Sequence, residues 1–159
     1  MLNKSSNGFG LVEVVVGLGI ITFVSFSFVS AYNYFLKVAI VRNLDVRATL
    51  LAEESVEVVK FLRDESWSAN IATMEVGMPY FLSFDGLAWA TTTDYFLIDS
   101  VFERAISVGD VYRDDDDNIS DIGVYDENTK FLTATVSFAT PFGTTTRSIS
   151  TYLTNLFDN

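Results

Sequence analysis

The first third of the chain is dominated by one long apolar segment. Residues 9–36 contain a single charged side chain, Glu13, and the nearest basic residues on either side are Lys4 and Lys37. At about 1.5 Å per helical residue the segment would extend roughly 42 Å, which exceeds the about 30 Å of a bilayer's hydrocarbon core. The pattern therefore predicts a helix long enough to cross a membrane.

Residues 37–66 continue this helix with a different pattern. No proline or glycine occurs between residues 31 and 76, so nothing in the sequence interrupts the helix before the predicted end near Asp64-Glu65-Ser66. Apolar and small residues recur at helical spacing, and charged residues occupy the opposite side. The first set is Leu44, Ala48, Leu51, Ala52, Ser55, Val59 and Leu62, and the second is Glu53, Glu54, Glu57, Lys60 and Asp64.

Residues 67–159 change to the alternation that is typical of strands. After a loop or short helix over residues 67–78, the Asp85-Gly86 pair predicts a hairpin between residues 79–84 and 87–90. Further strands are predicted over residues 95–98, 101–108, 129–139 and 144–153. In the 101–108 strand Arg104 shares the apolar face, and we expect its charge to reach solvent. The expected fold class is α+β, with the amphipathic half of the long helix packed on an antiparallel sheet.

Glu13 is the residue that a plain membrane anchor does not explain. A carboxylate within an apolar span costs up to about 2.5–3.5 kcal/mol at the bilayer centre, so it needs a partner. Cleavage between Gly8 and Phe9 would create an α-amino group four residues from Glu13, or close to Glu13 of a neighbouring copy. Opposite charges attract far more strongly in such surroundings than in water.

The residues Gly8-Phe9-Gly10-Leu11-Val12-Glu13, followed by the apolar run, resemble the processing signal of type IV pilins and type II secretion pseudopilins. The resemblance implies a leader over residues 1–8, cleavage after Gly8 by a prepilin peptidase, N-methylation of Phe9 and a role for Glu13 in filament assembly. Residues 9–36 would form the membrane-spanning and filament-core helix. One departure is Ser30, which stands where many filament subunits carry proline; Gly17 and Gly19 are the residues that could loosen the helix instead.

Two other interpretations of the same segment stay open. Val29-Ser30-Ala31 has the small-residue pattern of a secretory signal-peptide cleavage site, although the apolar region is longer than usual and contains an acid. A plain single-span anchor explains the apolar length but neither Gly8-Phe9 nor Glu13.

An acidic stretch over residues 112–127 offers the one candidate metal site. Asp114, Asp116, Asn118 and Asp121 resemble part of an oxygen-rich calcium loop. The EF-hand pattern fails, because Ile119 stands where glycine is needed and Tyr125 where glutamate is needed. A solvated loop of mutually repelling charges is the alternative interpretation.

Composition narrows the possible chemistry. The chain has no histidine and no cysteine, which removes the commonest catalytic bases and nucleophiles, and we expect no enzyme activity and no cofactor other than a possible calcium ion. The formal net charge of −11 opposes direct binding to nucleic acid.

The resemblance implies a structural subunit of a type IV pilus or pilus-like filament. Its partners would be other pilin subunits, a prepilin peptidase, the inner-membrane assembly machinery and, before assembly, membrane lipid. It would move from the cell membrane to an extracellular pilus or an envelope-spanning pseudopilus, with roles from adhesion to type II secretion. The alternative is a membrane-anchored extracytoplasmic binding module that does not polymerise.

Overall fold

The computed structural model describes residues 10–157, which begin with one long helix. Helix α1 spans Leu11–Glu65, so the predicted uninterrupted helix and its end are confirmed. The chain divides into two compact units, Met1–Val41 and Arg42–Asn159. The described part of the first unit is Gly10 followed by the residues of α1 up to Val41.

In the second unit, α1 buries one face. Five of the seven small or apolar positions predicted from the sequence are buried, and Leu44 and Leu51 are partly buried against the same core. Ala48 and Ala52 are fully buried against the aromatic rings of Phe102 and Phe138. Their small side chains let the helix backbone approach the sheet closely at these two positions. The buried residues of α1 are Ala48, Ala52, Ser55, Val56, Val58, Val59 and Leu62.

The strands form one antiparallel sheet and a separate hairpin. The larger sheet has the order β3-β4-β6-β7, with β5 also paired to β4, and the hairpin pairs β1 with β2. A short helix, α2, precedes them at Trp67–Asn70. The strands are β1 Phe81–Phe84, β2 Trp89–Thr92, β3 Leu97–Ile98, β4 Phe102–Arg113, β5 Ile119–Ser120, β6 Val124–Thr140 and β7 Gly143–Thr154. The α+β fold class is therefore confirmed.

Strands β4 and β6 are longer than the sequence predicts. Beyond Asp110 their register shifts, and they pair again at Tyr112 with Tyr125 and at Arg113 with Val124. Charged residues hide this extension in the sequence because they break the apolar alternation. The Arg113 Nε donates to Asp126 Oδ2 at 2.7 Å, and the Tyr112 and Tyr125 rings meet edge to face with centroids 6.0 Å apart. An ion pair and an aromatic contact therefore stabilise the extension.

The predicted Asp85-Gly86 hairpin is confirmed. The Asp85 carboxylate accepts hydrogen bonds from the backbone N–H groups of Leu87 and Ala88, at 2.8 and 2.9 Å. Gly86 has a φ of 98°, a conformation that side chains other than glycine rarely adopt. The second strand lies two residues later than predicted: β2 is Trp89–Thr92, whereas the sequence predicted residues 87–90.

The expectation that the charge of Arg104 reaches solvent is wrong. Arg104 is only 5% exposed. Its guanidinium donates to Glu54 Oε1 at 3.1 Å and to the carbonyl oxygen of Leu82 at 3.0 Å, and it lies over the Trp89 ring at 5.4 Å. The hairpin β1–β2 covers this position, and a sequence cannot reveal that cover. Arg104 thereby joins α1, the hairpin and β4.

Candidate functional site

The first unit carries a long run of exposed apolar side chains. Leu11, Phe23 and Phe26 are 82%, 75% and 71% exposed. Helix α1 is the one helix among residues 10–157 that is long and apolar enough to cross a membrane, and none of its most apolar stretch is buried. Apolar surface on this scale calls for a partner, either lipid or protein.

Glu13 lies in the first turn of this helix, and its side chain is exposed. Its backbone N–H donates to the carbonyl oxygen of Gly10 at 3.0 Å. A carboxylate in the first turn interacts favourably with the positive end of the helix dipole. Within the described residues Glu13 has no ion-pair partner. Gly8 and Phe9, the predicted processing site, lie outside the described residues.

Three residues of the candidate calcium set lie in one tight turn between β4 and β5. One Asp114 oxygen, Oδ1, accepts from the backbone N–H groups of Asp116 and Asn118, at 3.0 and 2.9 Å. These hydrogen bonds hold the pKa of the Asp114 carboxyl below its ordinary value, and the bond from the backbone of Asn118 has the largest effect. Asp117 closes the turn with a φ of 65°. The Asp114 carboxylate thus satisfies the amides of its own turn.

The fourth residue of that set, Asp121, lies elsewhere. It lines a groove of about 380 Å³ together with both residues of β5 and the aromatic residues Tyr112, Phe131 and Tyr152. Within residues 10–157 no three histidine, cysteine, aspartate or glutamate side chains form a group that could hold a metal ion. The groove that Asp121 lines does not include Asp114, Asp116 or Asn118, the other three residues of the set.

Beside the turn, Arg113 and Asp126 form an ion pair across β4 and β6. Burial raises the pKa of the Asp126 carboxyl, but hydrogen bonds from Arg113, Thr129 and the backbone of Asn128 outweigh it, so the pKa lies below its ordinary value. The Arg113 Nη1 also donates to the carbonyl oxygen of Asp117 at 2.9 Å. These contacts hold the turn against strands β4 and β6.

Sequence reasoning missed a feature on the exposed side of α1. Three large apolar side chains there, Val46, Leu50 and Phe61, are 61%, 57% and 58% exposed. They share this side with exposed charged residues, and we call the set the outer stripe. Its members are Arg42, Val46, Leu50, Glu53, Glu57 and Phe61. The signal was present in the sequence as apolar residues on the side that the charges mark as polar.

In comparisons with known proteins, the chain matches no protein-family model, no curated protein and no solved structure.

Proposed function

We propose that this protein is a structural subunit of a type IV pilus or a pilus-like filament. It is made as a precursor, cleaved between Gly8 and Phe9, methylated at Phe9 and held in the membrane by residues 9–36. It then polymerises through its N-terminal helix. Its partners are a prepilin peptidase, the inner-membrane assembly machinery and other subunits.

The observation that carries the proposal is the exposed apolar half of α1 with an acid in its first turn. A helix that buries none of its most apolar stretch needs lipid or other helices around it. Glu13, exposed and without an ion-pair partner among the described residues, is available to an amine from another copy. The Gly8-Phe9 motif is the sequence feature that supplies such an amine.

The proposed assembly exchanges lipid contacts for helix contacts of similar apolarity, so apolar burial changes little. The electrostatic pair between Glu13 and the Phe9 amine then sets the register between neighbours, because each charge is costly to leave unpaired in an apolar core. The sheet domain faces outward and provides surface contacts. The proposal gives the protein no catalytic role.

The first test is the mass of the mature N-terminus, measured on protein isolated from cells that make filaments. The expected result is a chain that begins at methylated Phe9. A chain that retains Met1 would overturn the proposal in favour of a membrane-anchored module, and one that begins at Tyr32 would indicate a cleaved signal peptide.

The second test removes one carboxylate at a time. Glu13→Gln is expected to leave membrane insertion intact and to reduce the number of filaments at least about tenfold, since an unpaired buried charge costs several kcal/mol. Glu75→Gln is the matched control, because it removes one exposed carboxylate from the sheet domain. Equal filament numbers in the two variants would rule out the register role of Glu13.

A further inference from the structure

The two edges of the larger sheet differ in how much of their backbone is paired. Strand β4 has backbone partners at intervals along the side that faces away from β6. They are β3 at Phe102 and Glu103, Tyr80 at Ile106, Val76 at Val108, and β5 at Tyr112 and Arg113. At the other edge, β7 pairs only with β6 among residues 10–157. The outward N–H and C=O groups of this strand of 12 residues therefore form a free edge.

The free edge of β7 lacks the features that usually prevent strand pairing. Proteins protect an exposed edge with a very short strand, proline, lysine or a bulge. Strand β7 contains neither proline nor lysine, and its register with β6 is continuous from Gly143 to Thr154. Its one charged side chain, Arg147, is held on the α1 side of the sheet by the Asp45 carboxylate, with Nη2 2.9 Å from Oδ2. The edge is therefore open to a further strand.

The distribution of charge favours a second copy of this chain as the source of that strand. The chain has a formal net charge of −11, so two copies repel each other over much of their surface. Residues 128–157 contain no aspartate and no glutamate, and they include all of β7 and most of β6. The free edge of β7 therefore lets two acidic chains approach without bringing carboxylates together.

The direction of β7 relative to α1 determines how two paired copies are oriented. In the second unit α1 and β7 run the same way, since Asp45 binds Arg147 and Val59, further along α1, packs in one cluster with Leu153. In a two-fold contact residue i faces residue j and residue j faces residue i, so two identical strands pair antiparallel. The two α1 segments then run in opposite directions, and the chains before Arg42 leave the pair at opposite ends.

We infer that the free edge of β7 pairs antiparallel with β7 of a second copy, and that the two chains are anchored in separate membranes. The two sheets become one across this contact. A register centred on Arg147 would set like charges opposite each other, which is destabilising. The centre therefore lies at Ser148 or Ile149, near the middle of the strand. The contact requires an anchored chain and no filament, so it goes beyond the proposed function.

The side chains of β7 are compatible with both registers. Centred on Ser148, the pair sets Thr146 opposite Ser150, and centred on Ile149 it sets Ser148 opposite Ser150. Hydroxyl side chains that face each other across strands form favourable hydrogen bonds. Thr133 and Ser150 already do so within the sheet, with their oxygen atoms 3.0 Å apart. The side chains therefore support the pairing that the backbone offers.

Mixing two populations of vesicles tests both the register and the orientation. The full chain, made in cells without a prepilin peptidase, would carry one introduced cysteine and be reconstituted in phosphatidylcholine vesicles, with a different affinity tag in each population. It has no native cysteine, so the introduced thiol is unique. Ser148→Cys or Ile149→Cys is expected to give a disulfide dimer that contains both tags, because opposite Cα atoms in an antiparallel pair are about 4.5–5.5 Å apart.

Thr144→Cys is the matched control, because this exposed residue lies in the same strand and on the same side as Ser148. In either register it is at least about eight residues, or roughly 26 Å, from its counterpart, so this variant is expected to remain monomeric. As much dimer in the control as in the main variants would indicate random collision and overturn the inference. So would the absence of dimer from both main variants, or a dimer that never contains both tags.

A lysine on the edge is the second arm. The original chain is expected to cluster vesicles, measured as an increase in their apparent diameter by light scattering. Ser148→Lys is expected to abolish the clustering, because an edge lysine opposes strand pairing. Thr135→Lys is the control, since Thr135 pairs with Ser148 from the neighbouring strand and adds the same charge away from the edge. Equal clustering by the two lysine variants overturns the inference.

These outcomes are separate from those that test the proposed function. Neither readout depends on cleavage at Phe9 or on the number of filaments. A chain that forms filaments but gives neither two-tag dimers nor clustering keeps the proposed function and removes the β7 contact. A chain that clusters vesicles but keeps Met1 in cells that make filaments keeps the contact and removes the proposed function.

Discussion

The two units of this protein use apolar residues in opposite ways. In Arg42–Asn159 one face of α1 and one face of the sheet bury apolar side chains in two clusters, in which Phe102, Val59 and Leu132 have no exposed surface. In the described part of Met1–Val41 residues of the same type are exposed, such as Phe26 at 71%. The difference shows that apolar content predicts that side chains will be removed from water. It does not predict whether the same chain, lipid or another protein buries them.

The largest expected effect is a loss in the free energy of unfolding, and it should differ between a buried and an exposed phenylalanine. Phe102→Ala is expected to lower the free energy of unfolding by about 3–5 kcal/mol, because it leaves a cavity in a packed core. Phe26→Ala should change it by less than about 0.5 kcal/mol, because its side chain is 71% exposed. Urea unfolding of the full chain in detergent, followed by the fluorescence of Trp67 and Trp89, measures both; equal losses would contradict the contrast.

A smaller effect should distinguish a buried charge from an exposed one inside the second unit. Arg104→Ala removes a guanidinium that is 5% exposed, together with its hydrogen bond to the carbonyl oxygen of Leu82. The expected loss is about 2–3 kcal/mol in the free energy of unfolding. Arg47→Ala breaks an exposed pair with Asp99 and should cost less than about 1 kcal/mol. The same urea titration applies, and an equal cost for both variants would show that burial of Arg104 is unimportant.

The smallest expected effect is on how the stability of the fold changes with pH. Because the folded pKa of Asp126 lies below the ordinary value of 3.8, its ion pair with Arg113 contributes stability above that value. The contribution is lost as pH falls from the ordinary pKa through the folded one, when the carboxylate binds a proton. Urea midpoints measured from pH 6 to pH 2 should therefore fall less steeply for Asp126→Asn than for the original chain. Parallel curves would contradict the assignment.

Much of the fold could be predicted because local patterns and tertiary contacts agree. The five buried positions of α1 that were predicted are those at which helical periodicity coincides with the sheet. Ala134, Val136 and Phe138 are buried for the corresponding reason, since strand alternation places them on the side that faces the helix. The ends of β4 and β6 escaped prediction because charged residues interrupt the apolar pattern there, although an ion pair and an aromatic contact hold the two strands together.

The two candidate sites also differ in how much of each could be predicted from local sequence. Glu13 stands out in the sequence because a single acid interrupts an apolar run, and its position in the first turn follows from where the helix begins. The calcium set looked plausible because it is compact in sequence. Strand β5 separates Asp121 from the turn, and Asp114 uses its carboxylate on nearby amides. Spacing along the chain does not indicate which oxygen atoms remain available.

The sequence by itself determined that this chain has a long N-terminal helix, apolar first and amphipathic afterwards, followed by antiparallel strands. Those features depend on periodicity and on the absence of helix breakers, which are local properties. Only the tertiary structure decided that Arg104 is buried under the β1–β2 hairpin and that Val46, Leu50 and Phe61 remain uncovered. Burial depends on which distant segment of the chain packs over a side chain, and the residues next to it in the sequence do not determine that packing.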